Sequence, residues 1–192
     1  MAIYFTSDLH FNHNVEFVWK ARGFNSVEEM NENIIKRFNE RVTTEDDVYI
    51  LGDLCLGGGS KEVMEQNKSL IERLNGKLHI IRGNHDTDRR MEMYKTCSNI
   101  VECGGLWADY IKYNGYHFYM SHFPTITSNL EKESLKQCTC CLFGHTHQTT
   151  NFYYDMPMVY HVGVDSHDCY PCNLDDIIIE MKEKAKECLS LV

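Results

Sequence analysis

The chain opens on an apolar run, Ile3-Tyr4-Phe5-Thr6-Ser7, that stops abruptly at a polar stretch from Asp8 to Asn14. A run of β-branched and aromatic residues ended this way predicts a buried first strand followed by a loop. From Ser26 to about Arg41 the apolar positions Val27, Met30, Ile34 and Phe38 recur at helical spacing, and Ser26 with Glu29 forms a capping-box pattern. This segment is a helix with one buried face. Asp47 to Leu51 reads as a second strand ended by Gly52 and Asp53, and Gly57-Gly-Gly59 then opens a turn into a helix from about Ser60 to Leu74. Asn75-Gly76 terminates that helix, and a third strand, Lys77 to Ile81, again runs into a polar cluster, Gly83-Asn84-His85-Asp86.

The second half changes character. Leu106 to Tyr113 and Tyr116 to Ser121 flank Asn114-Gly115, a strong hairpin signal because a type I′ turn needs two residues tolerant of positive φ. Further strands are predicted at Cys140 to Phe143 and Met158 to Val162, with a closing helix from Leu174 to about Leu189. There is no internal repeat, low-complexity tract or interdomain linker. Parallel β-α-β units first and antiparallel strands later predict an α/β fold of two packed sheets covered by helices, in one domain over residues 1–192. In such folds ligands sit at the carboxyl ends of the strands.

Composition narrows the partners. A formal net charge of −9 argues against a broad electrostatic footprint for nucleic acid, although carboxylates buried against divalent cations would make the loaded protein less acidic than its formula. Nine cysteines and a start without a signal-like segment point to reduced thiols in the cytoplasm. No apolar run approaches the ~20 residues of a membrane span, so no membrane partner is expected. No oligomerisation motif is present.

Five short segments carry candidate chemistry. Asp8-Leu-His10 follows a strand, and in extended backbone residues i and i+2 share a side, so carboxylate and imidazole can converge on one ion. Gly52-Asp53 leaves a carboxylate at a strand end, where it can bridge two ions. Gly83-Asn84-His85-Asp86 sets an amide oxygen, an imidazole and a carboxylate after an apolar strand; Asn84 and His85, being adjacent, point to different sides if extended. His122 ends the second hairpin strand, and Gly144-His145-Thr-His147 repeats the i, i+2 logic with two imidazoles, a good chelating unit for first-row metals. Each segment alone has an ordinary explanation as surface polarity, a turn aspartate or a structural histidine. Five at successive strand ends are far less probable by chance than any one.

These blocks, in this order, resemble the calcineurin-like metallophosphoesterase superfamily, over residues 8 to 147; Val162-Gly-Val-Asp165 followed by Tyr170-Pro171 also resembles its small bacterial and phage members. The resemblance implies a four-layer αββα sandwich of two mixed sheets flanked by helices. It puts Asp8, His10 and His147 on a first divalent metal and Asn84, His122 and His145 on a second, with Asp53 bridging and His85 as the catalytic histidine that is not a ligand. Manganese is the first expectation, with Fe, Zn, Ni or Mg as alternatives. Two ions about 3.5–4 Å apart would share an attacking hydroxide, while His85 protonates the leaving oxygen and Asp86 orients its ring.

Around that centre, Asn12, His13, Arg82, His161 and Asp165 are candidate substrate contacts, with His167 beside Asp165 on a second wall. Arg89 and Arg90, which follow Asp86, could bind phosphate, with a solvated helix face as the ordinary reading. Cys169-Tyr-Pro-Cys172 could suggest zinc or redox chemistry, but its spacing from Cys141 fits no finger pattern. Specificity would come from loops at 11–25, 87–97 and 123–137. The expected substrate is a small phosphodiester or phosphomonoester, such as a nucleotide or cyclic nucleotide. The alternatives are a nuclease acting on DNA or RNA, which the acidic balance disfavours, and a non-catalytic scaffold, which the intact ligand set disfavours.

Overall fold

The structure is a computed structural model and describes residues 1–127 and 134–190. In chain order it contains β1 (Ile3–Thr6), α1 (Glu16–Ala21), α2 (Val27–Arg41), β2 (Asp47–Leu51), α3 (Lys61–Ile71), β3 (Lys77–Ile81), α4 (Asp88–Tyr94) and β4 (Ile100–Glu102). There follow β5 (Ala108–Tyr113), β6 (Tyr116–Ser121), β7 (Thr139–Phe143), β8 (Val159–His161), β9 (Cys172–Asn173) and α5 (Leu174–Ser190). Two mixed sheets flanked by helices result, as the sequence predicts: β4-β3-β2-β1-β9 in one and β5-β6-β7-β8 in the other.

The predicted α2 has its expected cap, with Ser26 Oγ accepting from the Glu29 amide at 3.1 Å. The Glu29 carboxylate reaches back to the Asn25 amide at 2.8 Å, one residue earlier than a standard capping box. Met30, Ile34 and Phe38 of this helix pack with Ile71 and Met91 over Val48, Ile50, Leu78 and Ile80 of the first sheet. A second apolar cluster joins the sheets, bringing Phe5, Leu51 and Ile81 together with Phe118, Met120 and Leu142, and α5 adds Ile177 and Met181. Each such side chain removed from water contributes roughly 1.5–3 kcal/mol, so both clusters hold the strand ends in fixed relation.

Where the fold departs from expectation, the elements are short or their pairing is long-range. α1 lies inside the segment read as loop 11–25, and its six residues are too few to show helical periodicity. α4 lies inside 87–97 for the same reason. The second sheet is less antiparallel than predicted. Only β5 and β6 pair that way, through the hairpin, whereas β6–β7 and β7–β8 are parallel because long connections return the chain to the same end. β9 has two residues and pairs antiparallel with β1. Of the loop at 123–137, residues 128–133 lie outside the described residues.

Candidate metal centre

The predicted blocks follow β1, β2, β3, β6 and β7, so residues from both sheets meet at one end of the molecule. A parallel bridge between Ser7 and Gly163 ties the sheets together there. Their approach leaves no room at Gly52, whose φ is 88° and where a Cβ would stand 2.5 Å from the Gly83 Cα.

The ligand loops are not extended, contrary to the i, i+2 argument. Asp8, His10 and Asn12 have φ of 58°, 54° and 60°, and Asp53, His145 and His147 have 55°, 67° and 49°. Convergence comes instead from backbone hydrogen bonds: the Asp8 amide donates to Gly52 O, His10 to Asp53 O and Phe11 to Leu54 O, each at 3.1 Å. These lay the loop after β1 alongside the loop after β2. Left-handed backbone costs a non-glycine residue on the order of 1–3 kcal/mol and gathers at functional sites.

The side chains form two adjoining groups. In the first, His10 Nε2 lies 3.7 Å from Asp8 Oδ1 and 3.7 Å from Asp53 Oδ2, and His147 Nε2 lies 3.8 Å from Asp8 Oδ1. In the second, Asn84 Oδ1 is 2.8 Å from His122 Nε2 and 2.8 Å from His145 Nδ1, and His122 Nε2 is 3.5 Å from Asp53 Oδ2. Asp53 Oδ2 touches both groups, while its Oδ1 accepts the His85 amide at 2.9 Å.

A cation fits these donors. Asp8 Oδ1 and His10 Nε2 are buried with no hydrogen-bond partner, a costly state for polar atoms. His122 Nδ1 donates to the Leu51 carbonyl at 2.8 Å, which turns Nε2 toward the Asn84 and Asp53 oxygens. Acceptors facing one another without a proton are what a divalent ion relieves, and ligands about 2.1 Å from one ion stand roughly 3–4 Å apart. Burial pushes His10 down to about 4 against the pull of Asp8, leaving it a neutral donor at neutral pH. Burial works to raise the Asp8 carboxyl, but His10, His122 and His147 outweigh it and hold it below the usual range. Asp53 is raised, by burial first, with Asp86 and Asp8 adding to it against His122 and the His85 amide.

Surrounding groups orient the candidate ligands, as hydrogen-bonded neighbours do in metal sites. His147 Nδ1 donates to Asp165 Oδ2 at 2.8 Å, and that bond raises the affinity of the ring for protons. His145 donates its amide to Asp8 Oδ2 at 2.9 Å, and Ser7 Oγ donates to the same oxygen at 2.6 Å. His10 Nδ1 meets His13 Nδ1 at 3.0 Å.

Several predicted roles need correction. Asp86 does not orient the His85 ring: its carboxylate accepts from the Asp53 and Gly83 amides, both at 2.8 Å, and from Tyr94 Oη at 2.8 Å. Asn12 is drawn into an internal amide network with Asn31 and Asn67. Arg82 binds the Asp86 carbonyl and the Asp88 carboxylate and lies over the Trp107 ring, so it braces the loop after β3. His161 is wholly buried, and its Nδ1 meets Ser166 Oγ at 2.8 Å. His167 Nε2 donates to the His161 carbonyl rather than forming a cleft wall. Arg90 is buried instead of solvated, and donates to the His85 carbonyl at 2.6 Å. Cys169 and Cys172 are buried, burial pushes both thiols up, and among the described residues the groups able to hold a metal contain no cysteine.

His85, His13, His10, His147 and Asp165 do border one cavity of about 520 Å³, together with Phe17, Val18, Ala21 and Arg22 from α1 and its end. Sequence reasoning placed specificity in the segment 11–25 but singled out neither the helix there nor these four residues. Arg22 forks onto Asp165 at 2.8 and 3.0 Å and also binds the Asp8 and Leu9 carbonyls. Nothing local marks an arginine in an apparent loop for that task.

A two-sheet sandwich with paired carboxylate and imidazole groups at its shared strand ends is the architecture of a metal-dependent phosphoesterase. Residues 1–164 match the calcineurin-like phosphoesterase superfamily domain, and the chain belongs to that superfamily. It is 34% identical over 190 residues to an uncharacterized protein of Methanocaldococcus jannaschii, covering 96% of this chain and 93% of that one. It is 28% identical over 211 residues to the gene 66 protein of Mycobacterium phage D29, covering 97% and 98%. The structure of a protein of unknown function from Aquifex aeolicus shares the fold, with a TM-score of 0.68 at 22% identity over 93% of this chain and 98% of that one.

Proposed function

We propose that the chain hydrolyses a small phosphodiester or phosphomonoester at a centre of two divalent ions, with manganese the first metal to test because carboxylate and amide oxygens stand among the imidazoles. In this reading Asp8, His10, Asp53 and His147 hold one ion, and Asp53, Asn84, His122 and His145 hold the other. The observation that carries it is the pair of buried, unpartnered atoms Asp8 Oδ1 and His10 Nε2 beside the shared Asp53 carboxylate. Two such ions, when bound, lower the pKa of a water and offset charge on the phosphoryl oxygens.

The chain's own groups do the rest. Hydrogen-bond partners of two of the imidazoles fix which nitrogen faces inward: Leu51 O for His122 and Asp165 for His147. The His85 amide holds Asp53 Oδ1, so the Oδ2 edge faces the centre. The His85 ring is half-exposed on the cavity, with Nε2 4.0 Å from Asp53 Oδ2, and from there it donates a proton to the departing oxygen. Arg22 closes the side of the site with its guanidinium already bound to Asp165, which leaves little free positive charge for a polynucleotide backbone and favours a small substrate over nucleic acid.

Manganese-loaded protein is expected to cleave p-nitrophenyl phosphate or bis-p-nitrophenyl phosphate. His85→Asn should retain both metals by elemental analysis while kcat falls about 10²–10⁴-fold, and Asp53→Asn should lose metal. A metal-free His85→Asn protein would sink this division of roles. Failure of the loaded wild type on both esters would favour the scaffold reading.

A further inference from the structure

The α1 wall of the cavity carries a feature that neither the metal ligands nor the core accounts for. Val18 on this helix is buried and Val15 packs against the core, but Phe17 between them is 74% exposed. It borders the cavity of about 520 Å³ that also contains His10, His147 and His85. A large aromatic ring left in water beside a site of this size, within the ordinary range for ligand pockets, offers a face to a ligand rather than to the fold.

The polar groups nearby say what kind of ligand. Arg22 is the arginine bordering the cavity, and its Nε, Nη1 and Nη2 are all engaged by Asp165, Leu9 O and Asp8 O. A second phosphate would find no free guanidinium there. Phe17, Val18 and Ala21 instead give α1 an apolar surface next to the imidazoles. A flat, weakly polar group joined to the reacting phosphate matches both facts, because every base has a π-face that an aromatic side chain can stack on.

We propose that this cavity seats the nucleobase of a phosphorylated substrate, with Phe17 the specificity-determining residue. The proposal rests on the phosphoesterase reading for the phosphate, but the base seat itself can be measured without metal. Two readouts separate them. Adenosine binding is followed by calorimetry in the presence of EDTA, for the wild type, Phe17→Ala and Phe17→Tyr. With manganese, kcat/KM is compared for adenosine monophosphate against ribose phosphate, and for the p-nitrophenyl ester of thymidine monophosphate against methyl p-nitrophenyl phosphate. In the first pair the base is carried on the leaving alcohol; the second pair shares p-nitrophenolate as its leaving group and differs in whether a nucleoside is held on the retained phosphate.

The base-bearing ester of a pair should be favoured by about 10-fold or more, as stacking on an aromatic ring allows. Phe17→Ala should move that ratio toward one and weaken adenosine by a similar factor, and Phe17→Tyr should keep both. Adenosine binding that depends on Phe17 in a protein that cleaves no ester would uphold the base seat and discard the phosphoesterase reading. Hydrolysis with no preference for the base and no adenosine binding would overturn the proposal and leave that reading intact. It is equally overturned if Phe17 covers a second copy of the chain, seen as a dimer in light scattering that Phe17→Ala dissociates.

Discussion

Asp86 shows how a residue can be legible in type and misread in role. Its place directly after His85 suggests a partner for that ring, yet its carboxylate accepts from the amides of Asp53 and Gly83 and from the hydroxyl of Tyr94. It acts as a clamp between the strand ends that carry Asp53 and Asn84. Removing it in Asp86→Ala leaves the buried amides of Asp53 and Gly83 without an acceptor and Tyr94 Oη with only Cys55 Sγ, which should cost roughly 2–4 kcal/mol in urea unfolding. Asp86→Asn keeps an acceptor and should cost less. In that variant kcat should stay within a few-fold of the wild type, whereas a loss as large as that of His85→Asn would restore Asp86 as the partner of His85. The metal-ligand types were readable because carboxylate, imidazole and amide oxygen at successive strand ends have few other reasons to coincide. The roles of Asn12, Arg82, Arg22 and Asp86 were not, because each is decided by atoms brought close only by the tertiary fold: Asn67, Trp107, Asp165 and Tyr94.

At the scale of elements, what was legible had local causes. The hairpin turn has φ of 49° at Asn114 and 80° at Gly115, both in the left-handed region that a type I′ turn requires. Gly115→Ala meets no neighbouring atom but must hold that backbone, so it should cost about 1–2 kcal/mol and leave metal content unchanged. A loss well above that, in thermal or urea unfolding, would mean the turn bears on more than its own strands. β9 and α1 lacked a local signature: β9 exists through its pairing with β1, and α1 has no side-chain cap at its start. Another long-range tie joins the loop before β2 to the start of β1, where the Asp46 carboxylate accepts from the Ala2 amide at 2.6 Å and the Thr43 amide at 2.9 Å. These bonds, Ala2 first, hold Asp46 below the usual carboxylate range. A lowered folded-state pKa adds stability that is complete above the unfolded value and disappears as pH falls through the folded one. The stability gap between wild type and Asp46→Asn should therefore be full at neutral pH and narrow below about pH 4. A gap that stays constant from pH 7 to pH 3 would count against that account.

For the whole molecule, the centre joins two sheets that otherwise meet through apolar packing. The proposed ligands come from the ends of β1, β2 and β3 on one side and β6 and β7 on the other, so ions held between them would cross-link the two sheets at that end. Without ions, Asp8 and Asp53 keep their carboxyls buried side by side, in a chain whose formal charge is already −9. Binding to the folded state alone adds about 2.7 kcal/mol when free metal is 100 times the dissociation constant. In a chain of this length each kcal/mol raises the melting temperature by about 2–4 °C, so manganese should shift melting upward by roughly 5–10 °C and EDTA should reverse it. The pattern across variants carries more than the size of the shift. His85→Asn should retain it, because that ring borders the cavity and belongs to neither ligand group. His122→Ala should lose part of it, because its Nε2 faces Asn84 and Asp53 from the second sheet. Equal shifts in all three proteins would mean that manganese binds elsewhere, and the two groups would then have to be explained by hydrogen bonding alone, which the unpartnered Asp8 Oδ1 and His10 Nε2 oppose.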